Sequence, residues 1–323
     1  MVIRTDSSRL ALAARICRLL PPLLSARVQL ALYPIALARR ENAAFAARSS
    51  LADVVFEFPR AELDAVSFAI RGFYEWRTIA IANTICGPGD CIIEIGSNIG
   101  TETVLLAKIV GPGGRVISFE PLAENAECQE RLIERNGLRQ IELHRAAVSD
   151  RPGRCFFEKP TDSWNSGTGQ IIDETDGRGG CIEVEMLTLD GLAAEGRLAP
   201  AKLLVMDVEA AELRVLAGGE GYMRAHAPAV LLEVNGERLP EVGLRVADVD
   251  DYFRERGYSR WLVKSTGLRP ADRNQTTNEN WLCLPRGDSA ESRALAKRIS
   301  RRILRALVTP LIRRLNPAVI DCR

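Results

Sequence analysis

The sequence predicts an α/β protein built on a mostly parallel sheet with helices on both faces. Three observations carry that prediction. From Cys91 onward, short apolar runs alternate with helical stretches, the rhythm of βαβ units. Glycine and proline turns, "CGPGD" at 86–90 and "GPGG" at 111–114, punctuate the alternation. Of the 323 residues, 46% are apolar and 26% charged, as in a soluble protein with a sizeable core.

Taken in order, residues 8–20 and 24–48 read as helix, broken at Pro21-Pro22, and 60–85 as further helix leading into the CGPGD turn. Ile92–Ile95 is a buried strand, 101–110 a helix with Thr101 near its start, and "RVISFEP" (115–121) the next strand. A helix over 122–136 closes at Asn136-Gly137, and "IELHRAAVSD" (141–150) is a third strand with its exit loop. The rhythm changes over 151–188. There "CFFEK" and "CIEVEML" flank a Gly/Ser/Thr/Asp-rich loop at 161–180, which suits a hairpin-like insertion. Alternation resumes with a strand at 202–209, a helix at 210–217, a strand at 229–235, a helix near 248–256 and a strand at 259–263. The expected organisation is a helical N-terminal extension (1–59), a central domain (60–285) carrying the 151–188 insertion, and a basic amphipathic C-terminal helix (286–323).

Net charge is +1 in all, +6 over residues 1–48 and +7 over 290–323, so 49–289 carry −12. The total gives no sign of nucleic-acid binding. Basic ends on an acidic body suggest either arms for an anionic surface or solvated basic helices. The eight cysteines show no CxxC and no zinc spacing, and no metal pattern is complete. Several sit in apolar runs, where Cys behaves as a small buried hydrophobe. Arg15 and Arg18 interrupt the first apolar stretch, so no signal peptide is expected. The uncharged run 28–38 falls short of the ~20 residues that span a bilayer. These features predict a cytoplasmic protein.

Ligands of such sheets bind beyond the carboxyl ends of the strands. Reading off those ends gives Glu94, Glu120, Ala146/Ala147, Asp207 and Glu233. Four acids on one rim repel one another, which stability alone does not explain. The turn "DCIIEIGSNIGTET" (90–103) holds Gly96 and Gly100 but lacks the middle glycine of a dinucleotide GxGxxG. Glu94 would repel a pyrophosphate and favour a cation. S-adenosylmethionine, with a sulfonium, an ammonium and no phosphate, suits the site. Gly96 and Gly100 would then let the backbone approach its methionine and ribose portions. Glu120 can accept ribose hydroxyls in either kind of site, so it does not discriminate. A nicotinamide oxidoreductase and a non-catalytic adenosyl-binding protein stay open as alternatives.

"IIEIGSNIGTETVLLA", "VISFEPLAEN", "ELHRAAVSD", "LLVMDVEAAELRVLAGG" and "AVLLEVN" resemble the FkbM-type methyltransferases in order and spacing, from about Gly72 to Val263. "GFYEW" at 72–76 is similar to that family's lead-in. The resemblance implies a class I methyltransferase (Rossmann-like) fold, a seven-stranded sheet whose last strand is antiparallel. It implies S-adenosyl-L-methionine as donor and a hydroxyl acceptor on a sugar, glycan or natural product. It assigns Glu94, Gly96, Asn98 and Gly100 to the methionine-side loop, Glu120 to the ribose, Ala146 and Ala147 to the adenine, and Asp207, Glu209 and Glu233 to the acceptor. One departure stands out: the family usually has glycine after DVE, and this chain has Ala210. A first helical turn there would make alanine harmless, and that is the expectation.

Methyl transfer to a hydroxyl needs in-line placement and a base for the departing proton. Asp207 is the first choice, with Glu209 and Glu233 as second base or hydrogen-bond acceptors. Asn235 lies on the same side of its strand as Glu233. Trp164 and Asn165, in the polar insertion, are expected to meet a sugar as part of a lid, or else the loop is flexible with Trp164 as its one anchoring aromatic. Leu295, Ile299, Ile303 and Leu307 form a stripe flanked by arginines. That stripe can lie on an anionic membrane at the inner face or pack on the core.

Overall fold

The computed structural model describes residues 3–58, 62–160, 164–172, 180–310 and 320. The N-terminal segment holds strand β1 (Ile3–Thr5), helices α1 (Ser8–Cys17), α2 (Pro22–Leu32) and α3 (Ile35–Glu41), and strands β2 (Phe45–Arg48) and β3 (Val55–Phe58). Residues 24–48 are therefore not one helix. Pro34 caps the start of α3, and Asn42, in the left-handed conformation at φ 42°, ends it. "FAAR" then extends and pairs antiparallel with β1 and β3, burying Phe45 and Ala47. The expected helix at 60–85 is likewise two, α4 (Leu63–Arg71) and α5 (Trp76–Ile85), because Gly72 turns the chain at φ 84°.

Two contacts fasten this segment to the body. The buried Arg18 guanidinium donates to the carbonyls of Ala69 (2.8 Å) and Ile70 (3.2 Å), at the C-terminus of α4, where positive charge is favoured. The Asn136 side chain accepts from the Val55 N–H at 2.7 Å and donates to its carbonyl at 2.8 Å, capping the edge of β3.

The body begins with β4 (Cys91–Ile95), α6 (Thr103–Val110), β5 (Arg115–Phe119), α7 (Ala123–Asn136) and β6 (Ile141–His144). β7 (Ala147–Val148) follows, and the insertion contributes β8 (Gly153–Glu158), β9 (Gln170–Ile172) and β10 (Cys181–Leu187). β8 and β10 pair antiparallel, Cys181 opposite Glu158, and form a second sheet with β7 and β9. Then follow α8 (Leu189–Ala194), β11 (Leu203–Met206), α9 (Glu212–Ala217), α10 (Glu220–His226), β12 (Ala229–Asn235), α11 (Val246–Glu255), β13 (Ser259–Lys264), β14 (Gly267–Pro270), β15 (Asn278–Leu284) and α12 (Ala290–Val308).

The main sheet runs β14-β13-β15-β12-β11-β4-β5-β6. Neighbours from β12 to β6 are parallel, and β15 is antiparallel between β12 and β13. This is the expected class I methyltransferase sheet with an eighth strand, β14, hairpinned on its edge. Along β4 the side chains alternate: Ile93 and Ile95 enter the core under α9–α11, while Ile92 enters the core shared with α4–α6. Glu94 shares the face of Ile92. Among the described residues no helix is long and apolar enough to cross a membrane. No disulfide joins the described cysteines, and burial pushes the Cys86 thiol up to about 12 and Cys91 to about 11. Cys322 lies outside the described residues.

α12 packs on α5, β14 and α2. Ile299 and Ile303 are fully buried, and Arg302 donates to the Asn83 carbonyl at 3.0 Å. The C-terminal stripe thus faces protein. Ile299→Ala and Ile303→Ala are each expected to lower unfolding free energy by about 2–4 kcal/mol in urea titrations. A cost near zero would mean that α12 is not part of the cooperative core.

Candidate active site

From β4 the chain moves outward through β5 and β6, then returns to lay β11 on the other side of β4. The two strand ends part there, leaving a crevice at their carboxyl termini. A cavity of about 640 Å³ occupies it. Glu94, Gly96, Asn98, Glu120, Ala146 and Ala147 line it from one side; Asp207, Glu209, Glu233, Asn235 and Asn165 line it from the other.

Gly100 and Trp164 lie outside the lining. Trp164 is buried: its carbonyl accepts the Leu63 N–H at 3.0 Å, and the Arg39 guanidinium sits 5.5 Å above its ring. The expected sugar-facing aromatic is instead a core anchor that fixes the neighbouring 165–169 strip. That strip crosses the cavity. Ser166 donates to Glu62 and, at 2.8 Å, to Asn98 Oδ1, while Arg238 reaches the Thr168 carbonyl at 3.4 Å. Residues 161–163 of the same loop lie outside the described residues.

The glycines have a role in the protein's own packing. A Cβ on Gly96 would lie 1.8 Å from the Asp207 carbonyl oxygen, and one on Gly100 would lie 2.7 Å from Gln129 Cγ. Both residues also sit at positive φ, 82° and 84°. Their missing side chains make room for the protein itself and draw the turn against the end of β11. Asn98, left-handed at φ 49°, is the hub of the loop. Its N–H donates to Glu120 Oε2 (2.8 Å) and its Nδ2 to Asp64 Oδ2 (2.8 Å); its Oδ1 accepts from Asn125 (2.9 Å). Glu120 also accepts the Leu122 N–H at 2.9 Å, which aims the carboxylate into the cavity.

Among the described residues nine acids line the cavity against two arginines, and both arginines are already paired: Arg77 with Glu75 and Arg238 with Glu209, each at 2.8 Å. Four of the other carboxyls, Asp64, Glu94, Glu102 and Glu120, are pushed up chiefly by burial. Glu94 and Glu120 rise to about 8 and Glu102 to about 7. Asp64 also rises to about 8, its burial reinforced by the neighbouring Glu102 and Glu62. Glu94 Oε2 and Asp64 Oδ1 are buried without a hydrogen-bond partner. Two orphaned carboxylate oxygens in one crevice are what a cationic ligand would satisfy and a pyrophosphate would not.

At the other end, one oxygen each of Asp207, Glu209 and Glu233 lie within 4.8 Å of one another. Cavity solvent reaches Asp207, yet protein surrounds it. Burial, then Glu233 and Glu209, raise it well above the carboxylate range; Glu233 is raised as well, first by burial. Like charges this close titrate together rather than independently. The trio has the donors for a divalent cation, although Arg238 already neutralises Glu209. Asn235 donates to Glu209 Oε2 at 3.3 Å and accepts the Glu237 and Arg238 N–H groups at 3.2 Å, so it shapes the rim turn as well as facing the cavity.

Ala210 is not in a first helical turn. Glu209 and Ala210 sit at φ 50° and 72°, and α9 begins only at Glu212. Alanine thus occupies a position suited to glycine. The sequence also passed over Asp64, Tyr74, Arg238, Asn278 and Asn280, all in the lining. Tyr74 lay within the quoted "GFYEW"; the others carried no local signal.

A family model described as "Methyltransferase FkbM domain" matches residues 94–260. The chain is 28% identical over 197 residues to the 31-O-demethyl-FK506 methyltransferase FkbM of Streptomyces tacrolimicus, covering 52% of this chain and 69% of that protein. It is 29% identical over 147 residues to the 2-O-methyltransferase NoeI of Sinorhizobium fredii, covering 41% and 58%. It is 37% identical over 54 residues to the protein-L-isoaspartate O-methyltransferase of Aeropyrum pernix, covering 17% and 21%. The chain thus spans less than two thirds of the length of the latter two.

Two outcomes follow from this geometry. Ala210→Gly is expected to raise unfolding free energy by about 0.5–1 kcal/mol, relief of the left-handed alanine outweighing the freer unfolded chain. Denaturant midpoints measure it, and a destabilised variant would show the turn to be unstrained. Asp64, Glu94 and Glu120 have ordinary values of 3.8, 4.5 and 4.5 and protonate more readily in the folded chain. Their contribution to stability is full below those values and lost as pH rises through about 8. The melting temperature of the ligand-free chain should therefore fall between about pH 5 and pH 8.5. A rise over that range would show these carboxyls ionised and compensated.

Proposed function

The chain belongs to the FkbM methyltransferase family, and on that premise we propose that it transfers a methyl group from S-adenosylmethionine to a hydroxyl of a sugar, glycan or polyhydroxylated natural product. The observation that carries the donor is the pair of orphaned, buried carboxylate oxygens on Glu94 and Asp64, in a cavity whose two arginines are both engaged. Those two residues would hold the donor's ammonium. Glu120 would accept the ribose hydroxyls, and Ala146 and Ala147 would flank the adenine. When bound, the donor supplies a methyl carried on a sulfonium, open to direct displacement by an oxygen.

Asp207, reached by cavity solvent and coupled to Glu233, is placed to take the acceptor's proton. A carboxylate raised toward neutrality by burial and a like charge is a better base than an ordinary aspartate. Gly96 packed on the Asp207 carbonyl keeps that base next to the donor loop. The acceptor end is rich in amides: Asn235 on β12 and Asn278 and Asn280 on β15 line it. Primary amides both donate and accept, which suits a cluster of hydroxyls. The printed names of NoeI and FkbM, a 2-O- and a 31-O- enzyme, favour oxygen as acceptor.

Asp207→Asn should lower methyl transfer by about 10²- to 10⁴-fold with S-adenosylhomocysteine affinity intact, measured with labelled donor and by calorimetry. Unchanged turnover would remove the base assignment, and no affinity for S-adenosylhomocysteine the donor. Binding near pH 7 should also release on the order of one proton, because the ammonium ionises a neutral carboxyl. Calorimetry in buffers of different ionisation enthalpy reads that number. Asp64→Asn should reduce it, whereas equal release from both proteins would place the titrating group elsewhere.

A further inference from the structure

Ten large apolar side chains are exposed among the described residues, and nine lie within residues 12–35 or on α12. Leu12, Ile16 and Leu19 recur on one helical face of α1 and its exit; Leu23, Leu24 and Leu30 continue the patch on α2 across the Pro21-Pro22 junction. Leu304 and Val308 are exposed on α12 at positions that share a face with Arg301 and Arg305. α1 packs on α2, and α2 on α12.

Beyond Glu291 at the start of α12, the charge on these helices has one sign. Residues 7–40 hold six arginines and no acid, and residues 292–308 hold six Lys/Arg and no acid. Arg9, Arg15 and Arg27 are exposed among the leucines. Solvated basic helices would not leave this much leucine in water, and nucleic acid would neutralise the arginines without covering the leucines. A second copy would set like charges against one another across a two-fold axis. An anionic bilayer satisfies both features at once, headgroups taking the arginines and the acyl boundary the leucines.

We propose that α1 and α2, with the exposed edge of α12, form a docking face for an anionic lipid bilayer. The inserted residues are those of the N-terminal helices, because the apolar stripe of α12 (Ile299 and Ile303) is buried against the body. Docking is independent of the methyltransferase reading and rests on the exposed face alone.

The test is co-sedimentation of the full chain with phosphatidylcholine vesicles, with and without phosphatidylglycerol. Binding should require the anionic lipid and weaken with salt. The triple variant Leu19→Ser, Leu23→Ser, Leu24→Ser should lose at least about tenfold in partition coefficient. Arg301→Glu with Arg305→Glu should lose binding to anionic vesicles. All substituted positions are exposed, so an unchanged unfolding transition serves as the folding control. Binding unaffected by the leucine variant overturns the proposal. So does a dimer, seen by light scattering without vesicles, that the leucine variant dissociates, since the face would then belong to a second copy.

Discussion

The uncompensated negative charge of the crevice is the constraint around which the rest of the structure is arranged. A buried carboxylate without a cation costs several kcal/mol if it stays ionised, so it takes up a proton instead. Glu94, Asp64, Glu102 and Glu120 all do this in the ligand-free chain. A core built for stability alone would place leucine or a paired arginine at such positions. Keeping the acids makes sense when the missing charge arrives with the ligand. The same protons then give the site its selectivity: a cation displaces them, a phosphate cannot. On the proposed reading, a fold of the kind that also serves dinucleotide enzymes would in this way favour a phosphate-free donor.

Holding that charge in place requires a loop with little freedom. Asn98 ties Asp64 on the lead-in helix, Glu120 just past β5, Asn125 on α7 and Ser166 on the insertion to one residue. Gln129 closes the loop from below, donating to Ser97 Oγ and to the Asn98 carbonyl at 2.6 and 2.7 Å. Because the links reach four separate elements, the N-terminal segment is joined to the site through α4: Arg18 fixes one end of that helix, and Asp64 presents itself at the other. A networked, fully buried cluster of this kind gains from low dielectric only while every member is satisfied. The two oxygens left over, Glu94 Oε2 and Asp64 Oδ1, are buried on residues that line the cavity, and on the proposed reading the ligand completes them.

The central sheet could be read from the sequence because its strands obey simple rules. Parallel strands buried on both faces are continuous apolar runs, and their ends fall at acids or glycines, as at Glu94–Gly96 and Met206–Asp207. The 151–188 hairpin was legible from its change of rhythm. β15 was not, since "NEN" at its start carries cavity-facing amides where a strand pattern expects apolar residues. The strands β1–β3 were hidden by alanine-rich "FAAR", which helix propensity favours and only pairing overrides. Which way a side chain faces was harder still. Trp164 and the α12 stripe turn to the core, and Asp64 turns to the cavity, because packing between distant elements decides it. Gly96 was identified, but not that Asp207, 111 positions on in the chain, fills the space beside it.

The turn after Asp207 shows what the departure from glycine does. Two consecutive left-handed residues, Glu209 and Ala210, bend the backbone so that the Glu209 carboxylate returns to within 4.8 Å of Asp207 and Glu233. Such a pair is costly for residues bearing a Cβ and persists only where surrounding contacts over-determine it. Here they do. Arg238 and Asn235 hold the Glu209 side chain, and the Ala210 N–H donates to Glu212 Oε1 at 3.3 Å. Glycine at 210 would relax the turn but give it more ways to move. Alanine confines it to fewer conformations, so the third carboxylate of the acceptor end stays beside the other two. The strain and the cluster are one arrangement: the backbone conformation that stability disfavours is the one that keeps like charges together where, on the proposed reading, a proton is taken.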